Sequence, residues 1–197
     1  MTLSDFKSLL QSHPAPVILI EGKRNIPQEY AVKAAQLTEK FAKEYPSIIF
    51  RSGNAEGADR AFTEGVNRVD PSRIQIVAPY IGHRKKEMIA GAKYLYPEDL
   101  SIIEEDEVIY QTIQATPKNE SMIRNRHKNS TLNAKSKYLV RDTMKVLGYT
   151  ETFTRPAAAI FYVDLEDIES GGTGHTIRVS RNYNIPCIFQ NEWEKWL

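Results

Sequence analysis

Two short runs carry residues suited to holding an anion. The first is Arg51-Ser52-Gly53-Asn54-Ala55-Glu56-Gly57-Ala58-Asp59, and the second is Ser170-Gly171-Gly172-Thr173-Gly174-His175-Thr176. Each follows an apolar, strand-like stretch and opens a helical one. Gly53 and Gly57 tolerate positive φ and let a ligand approach the main chain closely. The first amides of a helix have no internal acceptor and carry the positive end of its dipole, so a phosphate or other anion suits such a junction. Ser52 and Asn54 add neutral donors. Asp59, one turn into its helix, reads in two ways: as an acceptor for ribose hydroxyls, or as a stabiliser of the helix start. The second run supplies three glycines and two threonines, Thr173 and Thr176, at one junction. As a plain turn it is oversupplied with a residue whose ordering costs entropy.

His175 stands beside these glycines near a helix start, where protonation is disfavoured, so the expectation is a neutral ring that contacts the ligand. Asp59 and Glu166 are the candidate catalytic carboxylates, with Asp164 nearby, because cleavage of a glycosyl bond needs general acid–base groups. No Cys/His/carboxylate spacing fits zinc. No Walker lysine motif and no serine elbow stand out. Basic residues cluster after Tyr80 (His83, Arg84, Lys85, Lys86) and between Lys118 and Arg141, where Lys137 and Arg141 share a helix face. Both groups read primarily as solvated faces, with anion contact as the alternative.

The elements that must position these runs follow from hydrophobic patterning. Val17–Ile20 and Ala157–Val163 are continuous apolar runs, as expected of strands covered on both faces. Ser47–Phe50, Ile74–Ala78 and Ile185–Phe189 are shorter versions. Helices are expected over Gln28–Glu44, Ala58–Arg68, Ser136–Leu147 (stopped by Gly148) and Thr173–Tyr183. Strand alternating with helix predicts a parallel sheet with right-handed crossovers. Both glycine turns then lie at the carboxyl edge of the sheet, where ligands bind in open α/β folds, and one shared site is the economical reading. Residues 80–135 break the rhythm and read as an insertion or lid carrying short helices.

Bulk composition is that of one globular domain spanning 1–197. The chain has 197 residues, 41% hydrophobic and 26% charged, with a net charge of +1, so no global field draws it to nucleic acid or a membrane. The single cysteine, Cys187, sits in an apolar run and reads as a core thiol in a reducing, cytoplasmic setting. No apolar run approaches the roughly 20 residues of a membrane span, and no signal-peptide pattern opens the chain.

SGNAEGAD after one strand, GGTGHT after another and the closing IPCIF strand together resemble the SLOG superfamily. That superfamily groups relatives of DNA-processing protein A with the "lonely guy" nucleotide phosphoribohydrolases. The match covers 51–78 and 157–189 well, and 17–50 loosely. The resemblance implies a Rossmann-like three-layer α/β sandwich with a mostly parallel central sheet. It implies a nucleotide-type ligand surrounded by Gly22, Ser52, Gly53, Gly57, Asp59, Gly171, Gly172, Thr173 and His175. It also makes Glu21–Arg24 the first strand-to-helix turn, where Arg24 is placed to salt-bridge a phosphate. The phosphoribohydrolase branch carries a catalytic glutamate after its second glycine motif; here His175 and Arg178 stand in that neighbourhood, which argues against that mechanism. The expectation is therefore a protein that binds a small nucleotide-like molecule, with no cofactor required. A hydrolase of N-glycosidic bonds and a single-strand nucleic-acid binder using Lys118–Arg141 are the alternatives, and homo-oligomerisation is left open.

Overall fold

In the computed structural model, which describes residues 1–148 and 153–197, six strands form one sheet in the order β4-β3-β2-β1-β5-β6. They are β1 (Val17–Gly22), β2 (Ile49–Ser52), β3 (Ile74–Val77), β4 (Lys93–Leu95), β5 (Ala158–Tyr162) and β6 (Cys187–Ile188). Every pairing is parallel. The reason is local. Val17–Gly22 is buried at all six positions, so β1 cannot lie on a solvated face and must sit centrally between two helical layers.

Helices α1 (Leu3–Gln11), α2 (Gln28–Glu44) and α3 (Ala58–Asn67) cover one face. Their core comprises Phe6, Leu37, Phe41 and Phe62, joined by Trp193 and Trp196 from the C-terminal end. Thr38 Oγ1 donates to the Phe62 carbonyl at 2.7 Å, which locks α2 against α3. The opposite face is covered by α4 (Ile102–Ala115), α6 (Ser130–Leu147) and α7 (Gly171–Asn182), with the short α5 (Glu120–Arg124) between the first two. Val108, Val140, Met144, Leu147, Ile177 and Val179 fill that side. The result is a doubly wound, three-layer α/β sandwich. Among the described residues no helix is long and apolar enough to cross a membrane.

Residues 80–135 carry the edge strand β4, the helices α4 and α5 and the first turn of α6. They therefore complete the sheet and one helical layer rather than only capping the site. The signal for α4 was present in Ser101 and Glu104, which form a reciprocal capping box. Helix α6 starts six residues earlier than its apolar period implies, because the Asn129 side chain accepts from the Leu132 amide at 2.8 Å and caps Ser130. The strand β2 runs on through Arg51 and Ser52, two residues that sequence patterning assigned to the turn.

Candidate functional site: a pocket at the strand-order reversal

Strand order reverses at β1: the chain builds β2, β3 and β4 on one side, then crosses to β5 and β6 on the other. A cavity of about 470 Å³ opens at the carboxyl ends of these central strands. Its walls come from three turns and one helix. Glu21–Arg24 spans the end of β1 and the turn after it, Ala55 belongs to the turn after β2 and Asp59 to the first turn of α3, and Ser170–Thr173 opens α7. Lys135, Tyr138, Arg141 and Asp142 project from α6. The geometry thus brings both glycine runs to one cavity, at the crevice that doubly wound sheets use for ligands.

The two helix starts differ in what they offer. At α3 the chain fills its own anion cradle. Asp59 Oδ1 accepts from the Gly22 amide at 3.0 Å, and Oδ2 accepts from the amides of Gly53 at 3.2 Å and Ala55 at 3.3 Å. The carboxylate staples the turn after β1 to the turn after β2, and it also lines the cavity. Gly57 tightens the same junction, at φ +83°, where a Cβ would stand 2.1 Å from the Arg24 carbonyl oxygen. At α7 the cradle is open. The amides of Gly171, Gly172 and Thr173 have no acceptor among the described residues, and they border the cavity.

Beneath the cavity lies a buried ionic network. Lys145 is fully buried, and its ammonium donates to Glu21 Oε2 at 2.6 Å and pairs with Asp142 Oδ1 at 2.9 Å. Arg141 Nε lies 2.8 Å from Asp142 Oδ1, at an angle too poor for a hydrogen bond, while its Nη1 donates to the Gly53 carbonyl at 2.8 Å. Thr176 Oγ1 donates to Glu21 Oε1 at 3.2 Å. Three carboxylates (Glu21, Asp59, Asp142) thus share two cations (Arg141, Lys145). Burial pushes the Glu21 carboxyl up to about 7, against the pull of Lys145 and with the repulsion of Asp142 and Asp59. Burial also acts on Asp142, but Arg141 and Lys145 overcome it and hold that carboxyl below its usual value. Asp142 Oδ2 stands near Gly172, where a Cβ would be 3.0 Å from it, so an acceptor sits beside the open amides.

Several expected site residues face elsewhere. His175 is fully buried between α6 and the Thr116 turn, its Nδ1 2.7 Å from Thr116 Oγ1 and its Nε2 2.8 Å from Thr143 Oγ1. Burial drives its pKa down to about 4, so the ring is neutral as expected, but it serves the core rather than a ligand. Thr176 points inward to Glu21, Ser52 is buried, and Gly174 is pressed against the Glu169 carbonyl. The inward facing of positions 174–176 follows from helix periodicity: only the first turn of α7 borders the cavity. Asn54, at φ +51°, lines a neighbouring cavity. Glu166, expected as a catalytic candidate, is exposed and does not line the cavity.

In the basic stretch Lys118–Arg141, four of the seven Lys and Arg residues are paired in place, while Lys118, Lys128 and Lys135 have no ion pair among the described residues. Arg124 pairs with Glu120, Arg126 with Glu105, Lys137 with Glu98, and Arg141 with Asp142. Sequence reading also missed Lys145 and Arg51. Arg51 is buried in the sheet, where Nε and Nη2 donate to Gln75 Oε1 at 2.9 and 2.8 Å and the guanidinium stacks on Phe153. Nothing in their local sequence announces burial, because long cationic side chains are ordinarily surface residues.

The fold is shared with DNA processing protein A. The structure of that protein from Helicobacter pylori, described for its single-stranded DNA binding mode, matches with a TM-score of 0.50 at 16% identity. The match covers 92% of this chain and 67% of that one. This is a distant, fold-level relationship to DNA processing protein A. No family model matches the chain, and no curated protein does.

Proposed function

We propose that this protein binds a nucleotide-type ligand in the cavity at the strand-order reversal. The observation that carries the reading is the open start of α7: three amides without an acceptor among the described residues border a space of about 470 Å³, within the range of small-molecule sites. The phosphate sits on the Gly171, Gly172 and Thr173 amides. Arg24 and Lys135, both exposed and without an ion pair among the described residues, close on it from either side. Asp142 Oδ2 accepts from sugar hydroxyls, and the Tyr138 ring offers a face for the base.

Thermal-shift and calorimetric titration with AMP, ADP, ATP and ADP-ribose test the proposal. At least one raises the melting temperature of the native protein, and the rise is lost in Arg24→Ala/Lys135→Ala, whose exposed side chains leave the fold intact. No shift with any of the four, or an equal shift in the double variant, refutes it. Single-stranded DNA is the competing ligand, favoured by the fold shared with DNA processing protein A. Its affinity would fall steeply with salt.

A further inference from the structure

The nucleotide cavity does not stand alone. A second cavity of about 430 Å³ lies beyond the turn after β2, and Ala55 lines both. A third, of about 340 Å³, lies on the remaining side of the same turn. Arg24 is common to the first and third, and Arg60 to the second and third, so the three spaces encircle residues Ala55–Gly57. The three cavities are neighbours around one turn that Asp59 and Gly57 hold fixed.

Charge follows these cavities. Many surface cations are paired: Lys23 with Asp164, Lys33 with Glu29, Lys43 with Glu39, Arg68 with Glu64. Arg24, Arg60, Lys86 and Lys135 have no ion pair among the described residues, and all four line these cavities. Arg84, at φ +49°, also lines the second cavity, with Glu56 and Glu87 as partners. The acidic residues there, Glu64 and Glu87, are already matched to Arg68 and Arg84. Asn54, Thr63 and Asn67 add neutral polar groups suited to sugar and base edges. Lys85, Lys93, Lys118, Lys128 and Lys195 are also without an ion pair among the described residues and lie outside these cavities, but four such cations around one turn, in a protein of net charge +1, make a local field for a ligand with more than one anionic group.

We infer that the second cavity is a further phosphate subsite, centred on Arg60 and Lys86, and that the ligand is a dinucleotide-type molecule bridging both cavities over Ala55. This rests on the nucleotide reading of the first cavity and extends it. The two spaces are of similar volume, each sized for one nucleotide unit, which favours two units over a long polymer.

Calorimetry on the native protein compares AMP, the 5′-phosphorylated dinucleotide pApA, and single-stranded oligoadenylates of four and eight units. The inference expects pApA to bind about tenfold or more tightly than AMP, as a second charge-assisted phosphate contact implies. It expects Arg60→Ala/Lys86→Ala to remove that gain and leave AMP binding unchanged. It expects no further gain from four or eight units. AMP binding that depends on Arg24 and Lys135, without any gain for pApA, would overturn the second subsite and leave the first standing. Affinity that keeps climbing with length would overturn the dinucleotide assignment in favour of single-stranded nucleic acid. An absence of binding by every probe would overturn both readings together.

Discussion

Replacing Lys145 by methionine isolates the electrostatic part of the network beneath the pocket, because methionine keeps most of the volume of the lysine stem. Lys145 is fully buried and holds Glu21 at 2.6 Å and Asp142 at 2.9 Å. Removing it leaves two carboxylates facing each other with only Arg141 to compensate. Breaking a buried ion pair from one side costs about 3–5 kcal/mol. In a chain of this size each kcal/mol moves the midpoint by about 2–4 °C, so the melting temperature falls by ~6–20 °C. The loss depends on pH. The folded-state pKa of Glu21 is raised from 4.5 to about 7, so its contribution to stability is present at low pH and disappears as pH rises through 7. Without Lys145 that pKa rises further, and the variant goes on losing stability above pH 7 where the native protein has stopped. Urea unfolding followed by fluorescence of the buried Trp193 and Trp196 at pH 5.5 and pH 8 measures both effects. The deficit is larger at pH 8, and Glu21→Gln/Lys145→Met recovers much of it, because removing both partners avoids stranding a charge. A deficit below about 1 kcal/mol, or one equal at the two pH values, would refute this description of carboxylates held by two buried cations.

Two further expectations concern residues whose roles the tertiary structure reassigns. Asp59→Asn replaces one acceptor oxygen by a donor group facing amides that are themselves donors. It therefore loses about 1–3 kcal/mol of stability and weakens the proposed nucleotide binding by loosening two turns at once; chemical denaturation and titration calorimetry read the two effects, and an unchanged midpoint would remove the staple. His175 titrates near 4 rather than 6.5 because it is buried, so its contribution to stability is present above pH 6.5 and is lost as pH falls toward 4. Melting curves of native protein and His175→Gln between pH 4 and 7 should show a shallower acid-side decline in the variant, and parallel curves would contradict this account.

How far the sequence reaches is clearest at the two glycine runs. Short-range patterning sufficed for the parallel α/β class, for α2 over Gln28–Glu44 and for the meeting of both glycine turns at the carboxyl edge, since continuous apolar runs demand cover on two faces and strand-to-helix junctions all fall on one edge. Capping chemistry at Ser101 and Asn129 was also in the sequence, though hidden by the acidic and basic residues around it. What only the three-dimensional packing decided is where the polar side chains point. Asp59 turns back on Gly22, 37 positions earlier in the chain, and Lys145 reaches Glu21 across 124. His175 ends between Thr116, in the turn after α4, and Thr143 of α6. Hydrophobic period records which face of an element is covered. It carries no record of which distant donor meets a given carboxylate, because that pairing is fixed only when the layers close and each buried charge must find its partner.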